Sequence, residues 1–274
     1  MTTTRSCPVD WTEVAPAWDR NRRHVEAMKA ELTAQLFAGL QLRNGDRVLE
    51  LGGGTGELAR ELCAAVAPDG QVIASDAAPG MVELIRATLA GVPQARVEQL
   101  DASAIELPSG SVDVVVFRMG LMLVDDPAGA LAEVRRVLAG GGRLGVAVWA
   151  GPEHNPWVTS VGMAAMMHGL VTGPPVGPGT PFSLGEPDRL AALVGAAGFA
   201  DVDVRAVDTL VRFDSVADYV DTTRSLAPPL GAALNAASAE AFAAVRQTVG
   251  ELTSRFRDGE RLAMPGRALL CLAR

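Results

Sequence analysis

The sequence predicts an α/β protein with an open, largely parallel sheet that is covered by helices on both faces. Short apolar strands alternate with amphipathic helical segments over residues 47–149, which is the pattern of a parallel sheet with crossover helices. A glycine-rich stretch, GGGTG, directly follows the first strand. Apolar residues make up 49% of the chain, which is enough for a large core and argues against disorder.

The elements of this core follow one another in a regular order. Each strand is short and apolar, and the fourth is apolar almost throughout, as a central parallel strand is. The helices carry apolar residues at three- and four-residue spacing, and Pro79 and Gly91 mark the start and end of the second one. In chain order the core consists of RVLEL, GELARELCAAV, QVIASD, PGMVELIRATLAG, ARVEQLDA, VDVVVFRM, DPAGALAEVRRVLAGGG and RLGVAVW.

The second half of the chain is less regular. FSLGEPDRLAALVGAAGF carries a capping-box pair, Ser183 and Glu186, ahead of a helix. DVDVRAVDTLVRF and GRALLCLAR are typical of strands. The predicted organisation is an N-terminal helical arm or lid (1–40), a ligand-binding core (41–150), a cap insertion (151–182), and the rest of the sheet (183–274) with a helical insertion (214–258).

Charge and composition exclude several classes of protein. The formal net charge is -8, which makes nucleic acid a poor partner. Cys7, Cys63 and Cys271 are far apart, so they predict reduced thiols and no metal site. The sequence shows no signal peptide or membrane-spanning run, and we expect a cytoplasmic monomer or homodimer. Among 24 basic residues only Lys29 is a lysine, which indicates the base composition of the gene rather than a chemical role.

The glycines after the first strand predict a place where a ligand approaches the backbone. Gly52, Gly53, Gly54 and Gly56 cost conformational entropy and add no packing, and a turn alone needs fewer of them. Ligands of open α/β sheets bind beyond the carboxyl ends of the strands. The spacing G-x-G-x-G differs from the G-x-G-x-x-G of dinucleotide folds. Glu50 would also repel a pyrophosphate and attract a cationic amino acid or sulfonium group.

Two aspartates lie at the ends of the next two strands. Asp76 ends the second strand and Asp101 ends the third. Asp76 could accept hydrogen bonds from ribose hydroxyls, and Asp101 could accept one from the exocyclic amine of adenine. Lone acids are most often turn or cap residues. At consecutive strand ends beside the glycines, however, these two are better interpreted as ligand contacts.

These stretches resemble the successive motifs of class I S-adenosylmethionine-dependent methyltransferases. The motifs are VLELGGGTGELA, VIASDAAPGMVELIRA, LDASAIELPSGSVDVVVFRMGLM and ALAEVRRVLAGGGRLGVAVW. The resemblance is greatest to the group that contains the ubiquinone/menaquinone C-methyltransferases and actinobacterial natural-product tailoring methyltransferases, and it covers about residues 48–149. It implies a Rossmann-like sheet of seven strands with helical cap insertions, in which the last strand, GRALLCLAR, is antiparallel.

The resemblance also implies which residues contact S-adenosylmethionine. The glycine loop would hold the methionine part, with Glu50 supporting the loop, and Asp76 would bind the ribose. An aromatic residue of the arm, Trp11 or Trp18, would close the site or else serve as a core anchor. The full implied set is Glu50, Gly52, Gly53, Gly54, Gly56, Asp76, Ala77 and Met81 beside the adenosine, Asp101 and Ala102 at the adenine, the backbone of Phe117 at the amino acid end, and Trp18.

A general base is required only if the acceptor arrives protonated. His154 follows the fifth strand and His168 lies in the predicted cap, so either could be that base, although a lone histidine is more often structural. Arg118 could orient an anionic substrate or pair with a nearby acid, and we favour the pairing.

The predicted cap also suggests an acceptor site. Trp157, Met163 and Met167, with Met166 between them, form either an adaptable apolar pocket wall or an ordinary core helix. We therefore expect a methyltransferase that acts on a small, apolar or aromatic biosynthetic intermediate. Two alternatives are a cyclase or decarboxylase of the same fold that binds the cofactor without net methyl transfer, and a non-catalytic partner subunit. An NAD-dependent dehydrogenase is disfavoured by the loop spacing and by Glu50.

Overall fold

The protein is described by a computed structural model that covers residues 9–172 and 179–274. Cys7 and residues 173–178 of the predicted cap insertion lie outside the described residues. The described part forms a mixed sheet with helices around it. Its strands are β1 (Arg47–Glu50), β2 (Gln71–Asp76), β3 (Ala95–Gln99), β4 (Val112–Arg118), β5 (Leu138–Trp149), β6 (Asp203–Phe213), β7 (Arg257–Asp258) and β8 (Arg261–Ala273).

The sheet has the predicted architecture. Its strand order is β3-β2-β1-β4-β5-β8-β6. Neighbours among β1 to β5 are parallel, whereas β8 is antiparallel to both β5 and β6. The α/β fold with an antiparallel last strand is therefore confirmed. The two-residue β7, which pairs with the start of β8, is an addition to the seven predicted strands.

The helices of the described ranges lie before, between and after the strands. None of them is both long and apolar enough to cross a membrane. In chain order they are α1 (Trp11–Ala27), α2 (Ala30–Leu40), α3 (Glu57–Val66), α4 (Pro79–Thr88), α5 (Pro127–Val137), α6 (Pro156–Met167), α7 (Pro187–Ala196), α8 (Val216–Leu226), α9 (Pro228–Ala236) and α10 (Ala239–Leu252).

Local sequence explains where several helices begin. The Asp10 carboxylate accepts hydrogen bonds from the backbone of α1, the Asp126 carboxylate does so for α5, and the Ser215 hydroxyl does so for α8. Each of these side chains satisfies backbone N–H groups that have no partner within the helix. Pro79 occupies the first turn of α4, where a missing N–H costs nothing.

Two local predictions are wrong. The pair Ser183 and Glu186 does not form a capping box, because α7 has no side-chain cap and the Ser183 hydroxyl donates to the Met122 carbonyl instead. The stretch DPAGALAEVRRVLAGGG predicts a helix that its glycines close, but α5 is shorter than this. It ends at Val137, and β5 begins at Leu138, with the pairing register shifting beside the glycines.

The buried side chains form two large clusters. One lies around the sheet, and the other joins α1, α6, α8 and α10 to the far ends of β6 and β8. Five apolar residues at helical spacing belong to or pack against this second cluster: Phe242, Val245, Val249, Leu252 and Phe256. The helical insertions therefore pack against the parts of β6 and β8 that extend past the sheet core.

Candidate functional site

The loop between β1 and α3 has an open backbone face. Gly54 has a φ of +59° and Gly56 a φ of +87°, in the left-handed region where glycine is favoured. A Cβ on Gly54 would meet no atom within 4 Å, whereas one on Gly56 would lie 3.2 Å from the Ile85 Cα. Gly54 thus exposes bare backbone, and Gly56 lets α3 approach α4 closely.

Glu50 lies beneath this loop. It is only 2% exposed, and its Oε2 atom has no hydrogen-bond partner among the described residues. A Cβ on Gly53 would lie 3.1 Å from that oxygen. Burial is the main reason why the pKa of Glu50 is raised to about 8. A buried carboxyl oxygen without a partner is costly, and Oε2 is therefore ready to receive a cationic or hydrogen-bonding group.

Asp76 ties the loop to the end of β2. Its Oδ2 accepts from the Gly54 N–H at 3.1 Å, and its Oδ1 accepts from the Ala78 N–H at 3.0 Å. Burial raises the pKa of Asp76, and these backbone hydrogen bonds oppose the shift. Ala77 is exposed beside it. The carboxylate thus lies next to the open face of the loop.

The end of β3 is more exposed. Asp101 is exposed, and its Oδ1 accepts from the Ser103 backbone at 2.8 Å and from the Ser103 hydroxyl at 2.6 Å. This is the local turn geometry of a short acidic side chain. Ala102 packs against the main core. The adenine contacts that we expect for Asp101 and Ala102 remain predictions.

The end of β4 supports the loop from the other side. The Phe117 ring is 3% exposed and lies beside Gly52 and Gly120, where added Cβ atoms would come within 3.3 Å and 2.2 Å of its Cε2. Met119 follows with a φ of +63°, which is uncommon for a residue with a side chain. Backbone strain of this kind is often found at functional sites.

The helix α1 lies along α4 and beside the start of α3. Val14 and Ala15 pack with Met81. Trp18 meets Trp11 edge to face with their ring centroids 5.6 Å apart, and its Nε1 is buried with no acceptor in the described part of the chain. An indole N–H in such a position usually finds a partner.

Further along α1, Arg22 reaches the start of α3. Its Nη1 atom donates to Glu57 Oε1 at 3.0 Å and to Thr88 Oγ1 at 3.2 Å. The Thr88 hydroxyl in turn donates to the Thr55 carbonyl in the glycine loop at 2.7 Å. The arm is therefore connected to the loop by a chain of polar contacts.

The end of α1 carries a buried charged cluster that the sequence analysis did not find. The Glu26 carboxylate lies 2.8 Å from Lys29 Nζ and 2.8 Å from Arg118 Nη2. Arg118 Nη1 also donates to Thr33 Oγ1 at 2.7 Å. The pairing of Arg118 with an acid is as we favoured. The signal for this cluster in the sequence is that Lys29 is the single lysine of the chain.

With this geometry in place, comparison with known proteins identifies the region. A family profile described as a methyltransferase domain matches residues 48–142, which include the glycine loop, Asp76 and Arg118. The ubiquinone/menaquinone biosynthesis C-methyltransferase UbiE of Francisella philomiragia is 37% identical over 121 residues, 43% of this chain and 48% of that protein. Residues 48–142 match a methyltransferase domain, in agreement with the resemblance to class I S-adenosylmethionine-dependent methyltransferases. The chain spans about half the length of the curated relatives it matches.

Solved structures share the fold of the methyltransferase domain and its surroundings. YcgJ from Bacillus subtilis has a TM-score of 0.58 at 21% identity and covers 88% of this chain and 96% of its own. The [4+2]-cyclase SpnF has a TM-score of 0.57 at 18% identity and covers 98% of this chain and 97% of its own. At such identities the likeness establishes the fold alone.

The two histidines lie outside residues 48–142, the range that matches the methyltransferase domain. His154 is exposed, and its Nε2 lies 3.3 Å from Glu153 Oε1. His168 is also exposed, and its Nε2 lies 2.8 Å from Thr248 Oγ1 on α10. No described contact joins either residue to Glu50. Their assignment as general bases stays a prediction.

The predicted acceptor residues divide into a packed tryptophan and an exposed methionine face. Trp157 meets Trp149 edge to face at 5.1 Å and packs against both clusters. Met163, Met166 and Met167 are 45%, 39% and 65% exposed. The core of α6 is its opposite face, so the ordinary-core interpretation is wrong for these methionines. Their contact with an acceptor stays a prediction.

Proposed function

We propose that this chain is an S-adenosylmethionine-dependent methyltransferase that acts on a small, apolar or aromatic acceptor. The observation that carries the proposal is the buried, unpartnered Glu50 Oε2 beneath the open glycine loop. Together with the Asp76 carboxylate at the edge of the loop, it forms a set of acidic and bare-backbone groups that suits a cationic nucleoside. A pyrophosphate would be repelled by the same groups.

The residues present fit the cofactor. When bound, S-adenosylmethionine supplies an activated methyl group on a positively charged sulfur. The Glu50 side chain would hold the positively charged end under the loop, and Asp76 would accept from the ribose hydroxyls. The Trp18 indole N–H, buried and unpaired in the described residues, would donate to a group of the bound ligand.

The main contribution of the chain to catalysis would be orientation and exclusion of water. The arm covers α4 and the start of α3 through Val14, Ala15 and Arg22. Holding two reactants in line can lower a barrier by about 7–11 kcal/mol at best. The exposed methionines of α6 suit an apolar acceptor, because the thioether side chain adapts its shape. Buried, free Cys63 and Cys271 support a cytoplasmic location.

The nature of the reaction is tested by calorimetry followed by product mass. We expect S-adenosylmethionine and S-adenosylhomocysteine to bind to the whole chain and NAD not to bind. With acceptors drawn from panels of aromatic and apolar metabolites, the product should gain one methylene unit. Binding without any gain in mass, with a rearranged product, would support the cyclase alternative. Binding of NAD in place of both nucleosides would refute the proposal.

The raised pKa of Glu50 predicts how stability depends on pH. The folded protein keeps a proton on Glu50 up to about pH 8, whereas the unfolded chain loses it near pH 4.3. The free energy of unfolding therefore receives a contribution that falls as the pH rises through this interval. Glu50→Gln should remove it and stabilise the protein at pH 8 by about 1 kcal/mol or more, since one pKa unit corresponds to about 1.4 kcal/mol.

The same substitution should weaken cofactor binding. In the wild type, affinity for S-adenosylmethionine should increase from pH 6 to pH 9, because only the ionised Glu50 attracts the cation. Urea denaturation at pH 5 and pH 8, together with calorimetric titration, measures both effects. Glu61→Gln, on the exposed face of α3, is the matched control and should change neither. A Glu50→Gln protein that binds like the wild type would contradict the role of Glu50.

A further inference from the structure

The cluster of Glu26, Lys29 and Arg118 lies where the arm meets the carboxyl end of β4. The Lys29 and Arg118 side chains are 9% and 6% exposed. Glu26 holds one cation with each of its carboxylate oxygens. Buried ion pairs of this kind contribute little to stability, so the cluster calls for another explanation.

The charges of this cluster do not cancel. Lys29 and Arg118 bring two positive charges, and Glu26 brings one negative charge. The groups that face Lys29 are Glu26 from α1, Arg118 from β4 and Glu50 from β1. Glu50 is protonated below about pH 8. When a cationic ligand is bound, the negative charge of an ionised Glu50 would be neutralised by that ligand. In both cases the trio is left with one excess positive charge in a buried place.

Such an excess charge can be relieved in two ways. Lys29 can lose its proton, and burial followed by the neighbouring Arg118 does lower the pKa of Lys29 to about 8, while Glu26 opposes this shift. Alternatively, an anion can bind beside the two cations. A ligand that first gives a proton to Lys29 and then stays as an anion satisfies both conditions, since the ammonium formed is neutralised at once.

We propose that Lys29 and Arg118 form the site for the reacting oxygen of an acceptor with an acidic hydroxyl group, a phenol or an enol, and that Lys29 Nζ takes its proton. This inference rests on the proposed function. In the step, the O–H bond breaks, an N–H bond forms at Nζ and the electron pair stays on the oxygen, so nothing is oxidised or reduced. Glu26 is the positioning residue, because it holds both cations in place.

The two positive charges and the base at Lys29 favour a weakly acidic hydroxyl group over other acceptors. A protonated amine would be repelled by two cations and would have to lose its proton first. A carboxylic acid is already ionised at neutral pH and needs no base. The two histidines, which could serve as bases, are exposed and engaged with Glu153 and Thr248. In the described residues, Lys29 is the titratable nitrogen that lies beside Glu50 and Arg118.

The uniqueness of Lys29 gives a direct test. Protein made with lysine carrying ¹³C at Cε should show one lysine side-chain resonance in the NMR spectrum. We expect this resonance to titrate well below the ordinary lysine pKa of about 10.4 and to move when 4-nitrophenol is added to the complex with S-adenosylhomocysteine. A resonance that titrates at the ordinary value and does not move when 4-nitrophenol is added would overturn the proposal.

Substitutions of Lys29 separate its role as a base from its role as a cation. Bound 4-nitrophenol should absorb as the phenolate at a lower pH than the free compound does. In Lys29→Met this shift should disappear and affinity should fall about tenfold, which corresponds to about 1.4 kcal/mol. Lys29→Arg should keep anion binding but lose turnover at every pH. Arg20→Met, on the exposed side of α1, is the matched control and should behave like the wild type.

Failure of this inference can be told from failure of the proposed function. Phenol binding is measured with and without S-adenosylhomocysteine, and nucleoside binding is measured separately by calorimetry. A Lys29→Met protein that keeps its circular dichroism spectrum and still binds 4-nitrophenol as the phenolate would refute the role of Lys29, whatever the nucleoside does. A wild type that binds no nucleoside would refute the methyltransferase proposal.

Discussion

Asp76→Ala is expected to weaken binding of S-adenosylhomocysteine by about 100-fold or more, the larger of the effects at the ligand site. The substitution removes the acceptor that we assign to the ribose, and hydrogen bonds to charged groups contribute about 1.5–3 kcal/mol. It also leaves the Gly54 and Ala78 N–H groups without the carboxylate that holds them. The loop would then lose the conformation in which its open face is presented.

Calorimetric titration measures this effect, and a thermal shift with and without the nucleoside confirms it. Asp76→Asn keeps the shape and one acceptor oxygen, so we expect an intermediate loss. Asp69→Ala is the matched control, because Asp69 is exposed and bonds only to Asn44 among the described side chains. If Asp76→Ala retains an affinity within about threefold of the wild type, the assignment of the ribose site to Asp76 is wrong.

Asn155→Leu should produce the largest loss of stability, about 3–5 kcal/mol. Asn155 is fully buried and joins the end of β5 to β8. Its Nδ2 donates to the carbonyls of Ala150, Gly151 and Arg267 at 3.0, 3.2 and 3.0 Å. Its Oδ1 accepts from the Arg267 N–H at 3.0 Å and from Trp157 Nε1 at 3.2 Å. Leucine would fill the volume but leave these groups unsatisfied.

Urea denaturation gives this free energy directly, and the melting temperature should fall by about 10 °C for a chain of this size. Asn44→Ala serves as the control, since Asn44 is exposed and bonds to Asp69, and surface changes are usually within about 0.5 kcal/mol. A loss below about 1 kcal/mol for Asn155→Leu would show that water or a shifted backbone satisfies the same groups.

The predictions from sequence that succeeded depend on local signals. Apolar periodicity and glycine positions located the five parallel strands and the loop after β1, because neighbouring residues set these patterns. The wrong capping-box prediction has a non-local cause. Ser183 fits a capping box by spacing alone, yet its hydroxyl is taken by Met122, a residue far away in the chain. The sequence could not show whether the Ser183 hydroxyl binds the helix backbone or the Met122 carbonyl. Proximity in the folded chain decided this.

The sequence by itself determined the order of strands and helices along the chain. It also determined the acid before the glycine loop and the acids at the ends of the second and third strands. Only the tertiary structure revealed that Lys29 is buried beside Glu26 and Arg118 and that the described contacts of His154 and His168 are with Glu153 and Thr248. The physical reason is that burial and charge depend on what the folded chain brings alongside a residue. A local sequence is the same whether its lysine lies on an exposed helix or is buried under the folded arm. The chemistry of the lysine differs between these two places.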